Sequence, residues 1–341
     1  MAASVIQARL FPYSRILGPK GSLALLVLAR PADRHRVMLE RLPEDVRIVT
    51  GDRPEAFEAA AGEADAIFAW FTGRELLEPV LRMAPRVGWV HVSSTGVDTL
   101  LFPALVESPA VLTNACGAFS WALGEFALAA ILFFAKDLRR LVRSQAEGIW
   151  DPFDVEGVRG KTVGIVGYGD IGRAVAERAH PLGMRILALR LRPGLSAGDP
   201  LLERVFASES RQELLAASDY VVVAALLTAQ TRGLIGDAEI GAMKPAGVLI
   251  NVGRGPVVDE RALVRALEEK RIRGAALDVF EQEPLPSGHP FYRLENVLLS
   301  PHSADHTEGW IAQSMEVFLD NFARFREGSP LRNVVDKRQG Y

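Results

Sequence analysis

The sequence has 341 residues, of which 49% are hydrophobic and 24% are charged, and its formal net charge is −3. This length allows two ordinary hydrophobic cores, and so mild a charge argues against nucleic acid or an anionic membrane as the main partner. Cys116 is the single cysteine, which excludes intrachain disulfides and argues against a cysteine-based zinc site. We therefore expect a cytoplasmic protein with no bound metal.

The first part of the chain alternates short apolar segments with amphipathic helices, which predicts a doubly wound α/β domain with a parallel sheet. Its predicted strands are residues 23–29, 46–49, 66–70, 87–92 and 111–113. Residues 1–22 contain three cations and no acid. We interpret them as a flexible or packing extension, with a transit peptide as the alternative.

A long apolar helix is predicted next, over residues 120–145, with Ser120 as its N-cap. The longest apolar stretch, 121–135, contains Glu125 and is shorter than the roughly 20 residues that span a bilayer. The pattern thus favours a protein without a membrane partner. A loop over 148–160 then leads into the second part of the chain.

The second part repeats the α/β alternation and predicts a Rossmann-type domain. Its predicted strands are residues 163–166, 185–189, 220–224, 248–252, 275–279 and 297–299. A final helix over 305–326 is expected to return to the first domain. The predicted fold class is therefore two doubly wound parallel-sheet domains. One is a discontinuous flavodoxin-like substrate domain of residues 1–119 and 304–341, and the other is a dinucleotide-binding domain of residues 120–303.

The strand at 163–166 runs directly into G-Y-G-D-I-G, a glycine pattern that binds dinucleotides when a strand precedes it and a helix follows. The first glycine permits a tight turn, the second admits a pyrophosphate and the third lets the helix pack closely on its strand. Glycines also mark ordinary tight turns, but the helix predicted over 171–180 favours a cofactor site. The predicted cofactor residues of this turn are Gly167, Tyr168, Gly169, Asp170, Ile171 and Gly172.

The end of the next strand bears on which dinucleotide is bound. An acid about 20 residues after the glycines normally accepts the ribose hydroxyls of NAD, whereas this sequence has Arg190 there and Arg192 two residues later. Two cations favour a 2′-phosphate, so we predict NADP(H) as the preferred cofactor and NAD(H) as the alternative. A simpler interpretation is that both arginines are solvated loop cations.

Three later loops carry polar side chains at the carboxyl ends of successive strands, where a doubly wound sheet presents its ligands. They hold Arg254, Glu283 and His302. A guanidinium suits a planar carboxylate, and an imidazole is the natural proton donor near neutral pH. Taken singly, each residue has a simpler interpretation: Arg254 caps a helix or faces water, Glu283 belongs to a group of surface acids, and His302 is half-buried in a loop. Their shared position favours one catalytic site.

Five motifs follow one another along the chain: G-Y-G-D-I-G, T-A-Q-T-R-G-L-I, M-K-P-A-G-V-L-I-N-V-G-R-G-P-V-V-D-E, A-A-L-D-V-F-E-Q-E-P and S-P-H. These motifs give a resemblance to the D-isomer-specific 2-hydroxyacid dehydrogenase family over roughly residues 85–320. It implies hydride transfer from a nicotinamide to a 2-oxo acid, with His302 as the acid/base, Glu283 as its partner and Arg254 on the substrate carboxylate and carbonyl. A small substrate of the glyoxylate or hydroxypyruvate type is expected.

The resemblance implies further contacts. Backbone amides at Ser94, Thr95, Gly96 and Val97 are expected to bind the substrate carboxylate. Later loops are expected to contact the cofactor, at Leu226, Thr228, Thr231, Val252, Gly253, Asp278 and Ser303. A homodimer is implied as well, with the long helix and the loop around Trp150 as contact surfaces.

Three departures from the family pattern stand out: Leu226 replaces a usual proline, Phe126 replaces a frequent histidine and Arg190 replaces the acid of NAD-type members. Two other functions stay open, a cofactor-sensing module that recruits protein partners and a dehydrogenase of formate or phosphite. The pocket wall is predicted to include Trp70, Phe71 and Trp310, with core or interface packing as the alternative for these rings.

Overall fold

The computed structural model describes residues 23–341, so both interpretations of residues 1–22 lie outside the described residues. The chain divides into two compact units. Unit 1 contains the residues up to Ala118 together with Ile311–Tyr341, and unit 2 consists of Phe119–Trp310. Within residues 23–341, no helix combines the length and apolar character needed to cross a bilayer.

Unit 1 contains a five-stranded sheet in the order β2-β1-β3-β4-β5, with every pair parallel. This is the flavodoxin-like order, as the sequence predicts. Its strands are β1 Ala24–Leu28, β2 Arg47–Gly51, β3 Ala66–Ala69, β4 Trp89–Val92 and β5 Val111–Asn114. Every residue of β1, β3 and β4 is buried, which explains their continuous apolar runs: both faces of the sheet are covered.

The last helix of the chain covers one face of this sheet. The ring of Phe318 stacks on Phe68 with centroids 3.8 Å apart, and Met315, Phe322 and Phe325 join the same core cluster. The last helix therefore packs on the sheet of unit 1. The helix is Trp310–Glu327 rather than 305–326, because Gly309 adopts the left-handed conformation with φ +77° and the residues before it form turns.

Unit 2 contains a seven-stranded parallel sheet in the order β12-β11-β10-β9-β6-β7-β8. Counted from β6, its first six strands follow the Rossmann order 3-2-1-4-5-6, and β12 adds one more. The strands are β6 Thr162–Val166, β7 Arg185–Leu189, β8 Arg204–Phe206, β9 Tyr220–Val223, β10 Val248–Asn251, β11 Gly274–Leu277 and β12 Val297–Leu299. Strand β8 was not predicted, because three residues at a sheet edge are too few to show a pattern.

The predicted helix over 120–145 is two helices, Ser120–Ala135 and Leu138–Glu147, because Asp137 has φ +46° and its side chain caps the second helix. The Ser120 cap is wrong: Phe119 is the N-cap residue and makes no side-chain bond.

The α-helices are α1 Glu58–Ala61, α2 Arg74–Met83, α3 Pro103–Glu107, α4 Ser120–Ala135, α5 Leu138–Glu147, α6 Asp170–Ala179, α7 Arg211–Ala217, α8 Asp237–Ala242, α9 Glu260–Glu268 and α10 Trp310–Glu327. Short 3₁₀ turns occupy Arg34–Arg41, Pro54–Phe57, His180–Leu182, Pro193–Ser196, Ser208–Ser210, Gly255–Val257 and Pro290–Tyr292.

Candidate active site

The glycine turn after β6 has the geometry that its sequence predicts. Gly167 has φ +95°, and a Cβ there would lie 2.6 Å from the backbone of Ala225. At Gly172 a Cβ would lie 2.5 Å from the carbonyl oxygen of Gly167, so this glycine lets α6 approach the turn. At Gly169 a Cβ would meet no atom within 4 Å. The first and third glycines are required for packing, and the second leaves open space at the start of a helix, where a pyrophosphate fits.

The loop after β7 presents two cations and no acid at the strand end. Arg190 is partly buried and donates from Nη1 to Ser196 Oγ at 2.6 Å, whereas Arg192 is exposed. Burial and then the charge of Arg192 hold the pKa of Arg190 below its ordinary value. The two positive charges repel each other, so a bound anion would stabilise both.

Asp199 anchors this loop, although it was not a predicted site residue. Its carboxylate accepts a hydrogen bond from the Tyr168 hydroxyl at 3.0 Å and pairs with Arg173 on α6. Asp199 thus ties the loop after β7 to the glycine turn. It lies in an irregular segment, where no periodic pattern marks an acid as structural.

Two threonines shape the turn after β9. The amide of Thr228 donates to Thr231 Oγ1 at 2.8 Å, and the Thr231 hydroxyl donates to the carbonyl of Leu226 at 2.5 Å. These contacts stay inside the turn. Both threonines and Leu226 follow the strand that pairs with β6, at the point where the strand order reverses and nucleotides usually bind.

The loop after β10 holds Arg254 by its backbone. Asn251 accepts from the amide of Gly253 at 3.1 Å and donates to the carbonyl of Arg254 at 3.1 Å. The guanidinium donates to the Gly253 carbonyl at 2.9 Å. Asn251 is nearly inaccessible, and it follows the buried Ile250 at the strand end. It is a further positioning residue that the sequence analysis did not name, and Val252 is buried beside it.

Gly255 brings the loops after β10 and β11 into contact. A Cβ at this position would lie 2.0 Å from the carbonyl carbon of Phe280, so only glycine fits. The amide of Phe280 in turn donates to Glu283 Oε1 at 2.9 Å. The loop with Arg254 is therefore adjacent to the loop with Glu283.

His302 and Glu283 form a close pair. The distance from His302 Nδ1 to Glu283 Oε2 is 2.6 Å, and the two side chains are 44% and 34% exposed. The hydrogen bond with Glu283 raises the pKa of His302 above its ordinary 6.5, against the opposing effect of burial. Burial alone would raise the pKa of Glu283, but the hydrogen bonds from His302 and the Phe280 amide outweigh it and hold that pKa below 4.5.

Asp278 fixes the loop that carries His302. Its Oδ1 accepts from the Ser300 hydroxyl at 2.6 Å and from the amides of Ser303 and Ala304 at 2.9 and 3.0 Å, while its carbonyl accepts from the His302 amide. His302 has φ +52°, a conformation that these bonds maintain. Asp278 and Ser303 are thus bonded to each other. Both were predicted only as cofactor contacts, so this structural role was not expected.

In unit 1, residues 94–97 form a loop after β4, and Gly96 and Val97 are buried. Of the predicted pocket aromatics, Trp70 is buried and donates to Asp33 at 2.8 Å, whereas Phe71 is 46% exposed. Trp310, the last residue of unit 2, stacks on His306 with centroids 4.2 Å apart. Among residues 23–341, no three His, Cys, Asp or Glu side chains are placed to hold a metal ion.

A Rossmann-type sheet with an open glycine turn and a histidine–carboxylate pair at the same edge defines a nicotinamide-dependent oxidoreductase. Residues 128–304 match the family model "D-isomer specific 2-hydroxyacid dehydrogenase, NAD binding domain". The chain belongs to the D-isomer specific 2-hydroxyacid dehydrogenase family, which confirms the resemblance that the sequence motifs indicate.

Similar proteins span nearly the whole chain. Glyoxylate reductase of Aeropyrum pernix is 35% identical over 310 residues, which cover 86% of this chain and 90% of the relative. A family member from Xanthobacter autotrophicus Py2, in complex with NADPH and MES, is 29% identical with a TM-score of 0.77, covering 94% and 100% of the two chains. The NADPH-dependent glyoxylate/hydroxypyruvate reductase of Sinorhizobium meliloti, in complex with NADP and malonate, is 27% identical with a TM-score of 0.75, covering 94% and 98%.

Proposed function

We propose that this protein reduces a small 2-oxo acid of the glyoxylate or hydroxypyruvate type to the D-2-hydroxy acid, with NADPH as the preferred reductant. The single observation that carries the proposal is the His302–Glu283 pair at 2.6 Å, held beside the Arg254 loop by the glycine contact at Phe280. The curated relatives named glyoxylate reductase support the substrate class. Unit 2 is the proposed cofactor domain and unit 1 the proposed substrate domain.

NADPH, when bound, supplies a hydride to the carbonyl carbon of the substrate. Glu283 occupies Nδ1 of His302, which leaves Nε2 to deliver the proton that the developing alkoxide requires. Arg254 binds the substrate carboxylate and stabilises the growing negative charge on the carbonyl oxygen. In unit 1, the backbone amides of residues 94–97 are proposed donors to a substrate carboxylate. The open space at Gly169 fits the pyrophosphate, with Arg190 on the 2′-phosphate.

The direct test mixes purified protein with NADPH or NADH and a panel of 2-oxo acids led by glyoxylate and hydroxypyruvate, and follows the loss of absorbance at the reduced nicotinamide. Oxidation of NADPH with these substrates is the expected result. Binding of both cofactors without turnover would favour a cofactor-sensing module. Oxidation of formate or phosphite with no reduction of 2-oxo acids would move the protein to that class of dehydrogenase.

The pH profile of reduction is expected to report the His302–Glu283 pair. Only protonated His302 donates, so kcat/KM should be level at low pH and fall about tenfold per pH unit above the pKa of His302, which Glu283 holds above 6.5. Glu283→Gln removes the carboxylate, and the fall should then begin at lower pH. Glu281→Gln, at an exposed acid two residues away, is the control. Identical profiles for wild type and Glu283→Gln would contradict the pairing.

Cofactor preference is expected to depend on Arg190. Arg190→Asp replaces a cation at the strand end by the acid of NAD-type proteins, so KM for NADPH should rise about 10- to 100-fold while KM for NADH stays level or falls. Arg185→Ala, at the exposed opposite end of β7, is the matched control and should alter neither constant. A preference for NADH in the wild type would refute the proposed 2′-phosphate site.

We also propose that the protein is a cytoplasmic homodimer that associates through unit 2. None of the residues of α5 is buried, and large apolar side chains of α4, of α5 and of the loop that follows are exposed, at Trp121, Leu138, Leu141, Val142, Ile149 and Trp150. Trp150 is 94% exposed. Exposed apolar side chains in this number are typical of an interface.

The mass in solution is therefore expected to be that of two chains, and Trp150→Glu should shift it towards one chain, because it places a charge in the apolar contact. Val37→Glu, at an exposed apolar residue of unit 1, is the control. Light scattering measures both variants. A monomeric wild type would overturn the proposal.

A further inference from the structure

The loop after β4 has four successive carbonyl groups that all accept hydrogen bonds from within unit 1. Ser314 Oγ donates to the Ser93 carbonyl at 2.8 Å, and the Ala115 amide donates to the Ser94 carbonyl at 3.1 Å. Asn114 Nδ2 donates to the Thr95 carbonyl at 2.6 Å, and Ser94 Oγ donates to the Gly96 carbonyl at 2.8 Å. The orientation of each peptide plane in this loop is therefore fixed by a named donor.

These bonds also determine where the amides point. In a trans peptide the C=O of one residue and the N–H of the next point in opposite directions. The carbonyls of Ser94 and Thr95 both face the end of β5, so the amides of Thr95 and Gly96 both face away from it. In a regular strand successive amides alternate in direction. Two successive amides on one side instead make a concave site of the kind that binds anions.

The amides in question have no competing backbone partner. Among the described residues, the N–H groups of Thr95, Gly96 and Val97 donate to no backbone carbonyl. Each follows a carbonyl that is already engaged. The loop therefore offers three consecutive donors with fixed directions, although two of these residues are buried.

Asn114 is the side chain that turns the central peptide. It is the last residue of β5 and is 9% exposed. Its Oδ1 accepts from the Cys116 amide at 3.2 Å, which leaves Nδ2 to donate to Thr95. Asn333 holds the backbone at this strand end, since its carbonyl accepts from the Asn114 amide and its Nδ2 donates to the carbonyls of Asn114 and Cys116.

We propose that Asn114 is a positioning residue for substrate binding: its amide group fixes the Thr95–Gly96 peptide so that the Gly96 N–H is presented to the carboxylate of the 2-oxo acid. The inference rests on the proposed function, which places that carboxylate on residues 94–97. The essential property of this side chain is that its Nδ2 donates a hydrogen bond to the Thr95 carbonyl. An aspartate at this position retains the acceptor for Cys116 but places a negative oxygen against the Thr95 carbonyl.

The test compares Asn114→Asp with the wild type by steady-state kinetics. KM for glyoxylate should rise about 5- to 20-fold, while KM for NADPH and the kcat at saturating glyoxylate stay within twofold. Asn296→Asp is the matched control. It makes the same exchange at an amide that donates to the Leu267 carbonyl in unit 2, so it should lower the melting temperature without changing KM. Asn114→Ala, which lacks the repelling oxygen, should give a smaller rise in KM.

A second measurement separates this inference from the proposed function. Malonate binding to the NADP⁺-loaded wild type and variants, measured by calorimetry, needs no turnover. Weaker malonate binding by Asn114→Asp alone supports the positioning role even if no 2-oxo acid is reduced, in which case the proposed function fails by itself. An equal rise in KM for Asn296→Asp, or unchanged KM and malonate affinity for Asn114→Asp, would overturn the inference.

Discussion

Replacement of His302 by alanine is expected to lower kcat for 2-oxo acid reduction by about 10³-fold, within the 10²- to 10⁴-fold range that a positioned general acid contributes. The reason is geometric. Glu283 holds Nδ1 at 2.6 Å and raises the pKa of the imidazole, so His302 is prepared to donate a proton from Nε2 near neutral pH. No other side chain of the site combines this protonation state with this position.

The His302→Ala variant should still bind NADPH with a dissociation constant within twofold of the wild type, because the glycine turn and Arg190 belong to other loops. Fluorescence titration of NADPH measures that constant, and stopped-flow absorbance measures turnover. His180→Ala, at an exposed histidine after α6, controls for the loss of an imidazole elsewhere in unit 2. Retention of more than a tenth of wild-type kcat would assign the proton transfer to another group.

Replacement of Arg254 by lysine is expected to lower kcat/KM by about 10²- to 10³-fold, the range measured for loss of one pre-organised donor at an oxyanion. Lysine keeps the positive charge but loses the planar fork that holds a carboxylate by two parallel bonds. The guanidinium already uses Nη1 to bond the Gly253 carbonyl, which sets its direction. An ammonium on a flexible stem cannot reproduce both contacts.

The loss should fall on both KM for the 2-oxo acid and kcat, since Arg254 acts on the carboxylate and on the developing alkoxide. Steady-state kinetics with glyoxylate measure both constants. Arg261→Lys, at an exposed arginine of α9, is the control and should behave as the wild type. A rise in KM with kcat unchanged would restrict Arg254 to binding the carboxylate.

The sequence predicts most of the fold because parallel strands buried on both faces are continuous apolar runs. Eleven of the twelve strands within residues 23–341 were predicted in this way. The exceptions have local causes: β8 spans three residues at a sheet edge, and the left-handed Asp137 divides a helix whose apolar pattern continues across the break. Neither feature changes the hydrophobic period.

The candidate site was predictable only in part. Arg254, Glu283 and His302 each follow a strand, so topology alone places them at one edge of the sheet. The contacts that hold these loops were not predictable. Asn251 binds the irregular backbone of its own loop, Asp278 binds residues 22 to 26 positions later, and Asp199 binds the side chains of Tyr168 and Arg173. Side chains that bind irregular backbone follow no period, and their partners are known only once the loops are folded.

Gly255 restricts how this enzyme can be redesigned. Any side chain there would collide with the Phe280 carbonyl, so a saturation library at this codon should return glycine alone. Laboratory evolution towards larger substrates must therefore draw its diversity from other loops. The same constraint keeps the backbone of the Arg254 loop unchanged, so a new substrate specificity has to come from substitutions in other loops.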